Sequence, residues 1–167
     1  MRKTILHLIF LGLTAAATPL VHAQARPASG NIELKNIAEI EVEVKAADGK
    51  VEKKRAPVQV AVPGTVVFYT STFKNVGTKP AGNISLTNPV PANTTLVAAS
   101  AFGESMDITY SADGGKTWAA ADKAKVTGAD GKERAAGVSD LTHIRWVLRG
   151  ELAPGKQSDA GFRVVVN

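Results

Sequence analysis

Alternation of apolar and polar residues runs through most of this chain, and a period of two is that of a half-buried β-strand. Ile40-Glu41-Val42-Glu43-Val44-Lys45 alternates strictly. Asp48-Gly49 follows, two residues that tolerate positive φ and so favour a tight hairpin turn. Val58, Val60 and Val62 alternate again before Pro63-Gly64 turns the chain, which predicts a further strand. Next, Val67, Tyr69 and Phe73 share one face with Ser71, while Val66, Phe68, Thr70 and Thr72 share the other. Both faces are partly apolar, the pattern of a strand well inside its sheet.

Asn75-x-Gly77 ends that strand, and Ile84 and Leu86 share one face of the next. Pro89 and Pro91 remove two backbone donors and stop regular pairing. Leu96-Val97 resumes the apolar pattern, and Ile108 and Tyr110 form another alternating pair. Ile144, Trp146 and Leu148 alternate with Arg145, Val147 and Arg149. The turn Leu152-Ala153-Pro154-Gly155 leads to a last strand with Phe162, Val164 and Val166. Pairing of 143–149 with 160–166 across that turn puts Arg145, Arg149 and Arg163 on one face, opposite Trp146 and Phe162. The one stretch with helical composition is Ala119–Val126, which reads equally as a loop. Strands at this spacing, divided by Gly and Pro turns, predict an all-β antiparallel sandwich.

The chain opens differently. Arg2 and Lys3 precede the apolar run Ile5–Leu13, and Pro19 breaks it before Val21-His22-Ala23. That is the pattern of a cleaved export signal over residues 1–23, with Ala23-Gln24-Ala25 offering a second cut after residue 25. The run is too short for a membrane anchor, and none is expected in the mature chain. Residues 24–31 read as a polar, flexible lead-in with Pro27 and Gly30, and 32–167 as one domain. Removing 23 of the 167 residues leaves 144, enough for a real core. Arg2 and Lys3 account for two of the five net positive charges, leaving +3. Basicity this mild makes no case for nucleic acid and suits an anionic cell envelope. There is no Cys, so thiol catalysis, disulfides and Cys-based metal sites are excluded. His7 and His22 leave with the leader, and His143 alone cannot build a multi-His metal site.

Tyr69-x-x-x-Phe73-x-Asn75-x-Gly77, then Ile84-x-Leu86-x-x-Pro89-x-Pro91, then Trp146 and Leu152-Ala153-Pro154-Gly155 together resemble the conserved repeat domain called domain of unknown function eleven. The resemblance covers about Pro57–Val166. It implies an immunoglobulin-like fold in a bacterial secreted or surface protein, and it brings no catalytic residues. Two features depart from that family: Asn88 stands where an acidic residue is usual, and the domain occurs once rather than in an array.

The sharpest local motif is Ser111-Ala112-Asp113-Gly114-Gly115-Lys116-Thr117-Trp118, which matches the Asp-box pattern Ser-x-Asp-x-Gly-x-Thr-Trp. Asp113 is placed to bond backbone amides at a hairpin tip while the glycines supply permissive φ and Trp118 packs against the turn. The residues singled out as a structural hairpin are therefore Ser111, Asp113, Gly115, Thr117 and Trp118. Similar Ala-Asp-Gly turns recur at 47–49 and 129–131. Glu104 and Asp107 are the closest approach to a catalytic carboxylate pair, and the Gly103 and Ser105 around them mark a solvated loop. Calcium requires several converging oxygens, and no single loop has that spacing. No cofactor, metal or catalytic residue is expected, and the protein is read as no enzyme.

The functional expectation is an exported structural or protein-interaction module, periplasmic or secreted. Its partner would be an envelope protein or an anionic envelope polymer, met through Arg145, Arg149 and Arg163. The alternative is a surface appendage or adhesin subunit that adds a strand at the Ile40–Lys45 or Phe162–Val166 edge. A glycan-acting enzyme would rest on the Asp-box alone.

Overall fold

The structure is a computed structural model that describes residues 31–46 and 48–167. The expected export signal and residues 24–30 of the lead-in lie outside the described residues. In chain order the strands are β1 (Ile32–Lys45), β2 (Val51–Pro57), β3 (Val66–Asn75), β4 (Ala81–Gly82), β5 (Ser85–Pro89), β6 (Thr94–Leu96), β7 (Phe102–Gly103), β8 (Met106–Ser111), β9 (Lys125–Thr127), β10 (Glu133–Ala135), β11 (His143–Leu148), β12 (Glu151–Leu152) and β13 (Gln157–Val166). A single 3-10 turn, Val138–Asp140, precedes β11.

Two antiparallel sheets pack face to face. The larger has the order β2-β1-β3-β13-β6, with β7 also pairing with β13. The smaller has the order β5-β11-β8. Alternation explains the packing: Val67 and Phe73 of β3 and Ala160, Phe162 and Val164 of β13 turn inward from one sheet. Ile144 and Trp146 of β11, Leu86 of β5 and Ile108 of β8 meet them from the other. Phe162 stacks on its cross-strand neighbour Tyr69 at 5.2 Å between ring centroids and meets Trp146 at 6.0 Å. Trp146 is 1% exposed, and its Nε1 donates to the Phe102 carbonyl at 2.9 Å, so the indole buries its polar edge with a partner.

Asn75 and Asn88, both turned into the sandwich, find hydrogen-bond partners there. Asn75, fully buried, donates from Nδ2 to the carbonyls of Lys79 and Leu152 and accepts from the Gly77 N–H at 2.9 Å. The predicted Asn75-x-Gly77 turn is thus an Asx turn that also ties the end of β3 to β12. Asn88 reaches between the sheets, its Nδ2 donating to Ser71 Oγ at 3.1 Å.

Four expectations are corrected. Residues 58–62 form no strand; β2 is Val51–Pro57, and Val60 and Val62 are 75% and 61% exposed in the connection to β3. Pro57 still lies opposite Glu39 and Val58 N still donates to Ala38 O at 3.0 Å, and the chain leaves β1 after that, whatever the alternation beyond. Of the two readings left open for Ala119–Val126, the helical one is set aside. Ala119 bridges to Tyr110, one turn follows in which Ala124 N donates to Ala120 O, and β9 begins at Lys125.

The third correction concerns 143–149 and 160–166, which do not pair. β11 sits between β5 and β8, and β13 between β3 and the β6/β7 edge. The intervening chain crosses from one sheet to the other, and β12 pairs with β4 on the way. Finally, Phe162–Val166 is no edge, because Val164 and Val165 pair with β3 on one side and β6 on the other. The Ile40–Lys45 part of β1 pairs with β2, while its pairing with β3 stops at Ile40.

Candidate interaction surface

The Asp-box forms a closed hairpin at the end of β8. Asp113 Oδ1 accepts from the Ser111 hydroxyl at 2.7 Å and from the N–H groups of Lys116 and Thr117. Its Oδ2 accepts from the Thr117 hydroxyl at 2.6 Å. Ser111 Oγ accepts in turn from Gly115 N, and Gly114 N donates to Thr142 Oγ1. Gly114 and Gly115 have φ of 76° and 87°, the left-handed region where glycine carries no steric cost. These bonds, the Thr117 hydroxyl foremost, hold the Asp113 carboxyl well below the usual carboxylate range. Tyr110 and Ala119 exchange two backbone hydrogen bonds and close the base. The hairpin presents Trp118 to Arg145, whose guanidinium lies 4.4 Å from the ring centroid.

The three arginines singled out from the sequence do not share a surface. Arg145 alternates with the buried Ile144 and Trp146, so it points out of the smaller sheet, onto Trp118. Arg163 alternates with the buried Phe162 and Val164, so it points out of the larger one. Because those buried rows face each other, the two arginines point away from each other. Arg149 lies just past β11, and its Nε pairs with Asp107 at 3.1 Å. Glu104 stays exposed in its turn, and Asp107 is committed to Arg149. His143 sits at the start of β11 with Nδ1 3.1 Å from Thr142 Oγ1.

A different arginine pair does converge. On the outer face of the larger sheet Phe68 is only 8% exposed, covered by Arg55 at 4.0 Å and Arg163 at 5.9 Å from the ring centroid. Arg163 is the direct cross-strand neighbour of Phe68. Arg55 comes from β2 and reaches over β1 to the same ring. Beside them Phe102 lies on Gly161, where an added Cβ would meet its ring at 2.6 Å. Between β6 and β7 the chain bulges off β13. There Val97 N still donates to Arg163 O at 2.9 Å, while Ser100 Oγ accepts from Arg163 N at 3.0 Å, so a side chain stands in for the backbone acceptor. Ala99 at the bulge has φ of 52°, a strained value for a residue with a Cβ.

Together Arg55, Phe68, Thr70, Ala99–Phe102 and Arg163 line a hollow of about 260 Å³. The sequence carried one sign of it: Phe68 is a large aromatic on the outward row of β3, alongside Val66, Thr70 and Thr72. Arg55 stands in the charged run Lys53-Lys54-Arg55, whose composition alone is that of a solvated strand or hairpin.

Among the described residues no three His, Asp or Glu side chains gather to hold a metal ion. No helix among them is long and apolar enough to cross a membrane. Comparison with family models, with curated proteins and with solved structures returned no match.

Proposed function

We propose that this protein is an exported, non-catalytic interaction module of the bacterial cell envelope, immunoglobulin-like in fold and related to the domain of unknown function eleven. The observation that carries the non-catalytic half is the use made of Asp113. Both of its oxygens accept hydrogen bonds within its own hairpin, so the motif that invites an enzymatic reading is engaged in holding a turn. Asp107 and Asp140 are likewise paired, with Arg149 and Arg134. The export half rests on Arg2, Lys3, the apolar run Ile5–Leu13 and Val21-His22-Ala23.

The test is expression in a bacterial host with the leader intact, followed by fractionation and intact-mass measurement. A mature chain beginning at Gln24 or Arg26, recovered from periplasm or medium, is expected; an uncut chain confined to the cytoplasm would sink the export reading. Turnover in a panel of chromogenic glycosides would overturn the non-catalytic half. A second reading, an appendage subunit that assembles by strand addition, has one observation in its favour: β1 beyond Ile40 is paired on the β2 side alone. Concentration-dependent polymers in size-exclusion chromatography would favour it.

A further inference from the structure

We infer that the hollow between Arg55 and Arg163 binds a small organic carboxylate with an apolar body. The inference does not depend on the export reading, because the site belongs to the folded sheet in any compartment.

Charge comes first. Among the described residues neither guanidinium has an ion-pair carboxylate within 4.0 Å. Glu41 and Glu39 sit on the same face, opposite Arg55 and Phe68 in register, yet neither reaches that distance. Asp159, on the same row as Arg163, accepts the Thr72 hydroxyl instead. Both guanidiniums lie over Phe68, with Cζ at 4.0 and 5.9 Å from the ring centroid, and a guanidinium's N–H fork is the group that takes a carboxylate bidentately.

Beside the charges is an apolar wall. Phe102 is 45% exposed, and Ala99 and Ala101 continue its surface. Size limits the occupant. A hollow of about 260 Å³ lies below the roughly 300–1,000 Å³ that hold drug-sized ligands, so a small molecule suits it better than a chain segment. The wall is also tied to the sheet: the Ser100 hydroxyl bonds both the N–H and the carbonyl of Arg163, next to Ala99 with φ of 52°. Residues 24–30 of the chain itself, Gln-Ala-Arg-Pro-Ala-Ser-Gly, carry a positive charge and no acid, so they do not complement the site.

The experiment is a titration of the 15N-labelled protein with three probes: phenylacetate, 2-phenylethanol and inorganic phosphate. Phenylacetate should saturably shift the amides of Thr70, Ala101 and Arg163, and the other two should bind about tenfold more weakly or not at all. Arg55→Gln and Arg163→Gln should each weaken phenylacetate about tenfold with the remaining amide spectrum unchanged. Shifts located elsewhere, absence of saturation, or phosphate binding as tightly as phenylacetate would overturn the assignment, as would undiminished affinity in both variants. Mapping on the unaltered protein decides the question even if a variant proves unstable.

Discussion

Single side chains in this protein do work that their neighbours cannot take over, and Asn75 is the clearest case. It sits fully buried at the end of β3 and satisfies the Leu152 carbonyl in a buried bond and the Lys79 carbonyl and Gly77 N–H in part-buried ones. Asn75→Ala strands the buried Leu152 carbonyl and unties the Asx turn, and should cost about 2 kcal/mol in denaturant unfolding. Asn88 poses a sharper question, because the proposed relationship would lead one to expect an acid there. Here its amide donates to Ser71 Oγ between the sheets. In Asn88→Asp the donor is gone, and partial burial would raise the new carboxyl above its unfolded value. A raised folded pKa gives stability that is present in acid and lost as pH rises through it. The variant should therefore lie closest to the parent at low pH and fall furthest behind at neutral pH, in unfolding midpoints measured across that range.

Elements add what single residues do not show, and the turns depend on carboxylates. Asp140 is held down to about 2 by Arg134, which grips it with both Nη groups, and then by the Gly137 N–H. Asp113 is held lower still by Thr117 and Ser111. Both folded values lie under the ordinary 3.8, so each group adds stability that is present above that value. The contribution is lost as pH falls through the folded pKa, near 2 for Asp140 and deeper in acid for Asp113. Carboxyl-carbon titration should find both carboxyls below the usual carboxylate range, and an ordinary value at either would refute this account. Asp113→Ala should abolish amide-exchange protection at Lys116 and Thr117 while leaving β11 protected. This hairpin was legible in the sequence because Ser111, Asp113, Gly115 and Thr117 bond one another within eight residues. The placement of β11 and β13 was not. A strand, a Pro-Gly turn and a second strand carry the same alternation whether they pair or cross between sheets, and only Ala81–Gly82, distant in sequence, shows that β12 interrupts the path. The Arg55–Arg163 hollow was hidden for the same reason, since Arg55 meets Phe68 only across an intervening strand.

At the scale of the molecule, the sandwich closes its centre and leaves its margins to charge. β13 is paired on both sides, so the last strand is locked inside the sheet. The outermost strand of that sheet is β2, Val51-Glu52-Lys53-Lys54-Arg55-Ala56-Pro57, whose far edge has no ladder partner among the described residues. An open edge is a template for another chain, and lysines and a closing proline are what blunt it. Glu52 and Lys54 pair on one face at 3.4 Å, and Lys53 and Arg55 occupy the other, so both faces of the edge are charged. This arrangement opposes strand addition at β2 and bears against the appendage reading at that edge. If charge is what protects the edge, Glu52→Val, Lys53→Val and Lys54→Val together should convert Val51–Pro57 into an apolar β-branched strand next to the already exposed Val60 and Val62. The triple variant should elute as dimers or larger species where the parent elutes as a monomer, with Arg55 retained so that the hollow over Phe68 is untouched. A parent that already polymerises would show that the edge is meant to be filled, and a triple variant that stays monomeric would show that twist and the short strand, rather than charge, keep neighbours away.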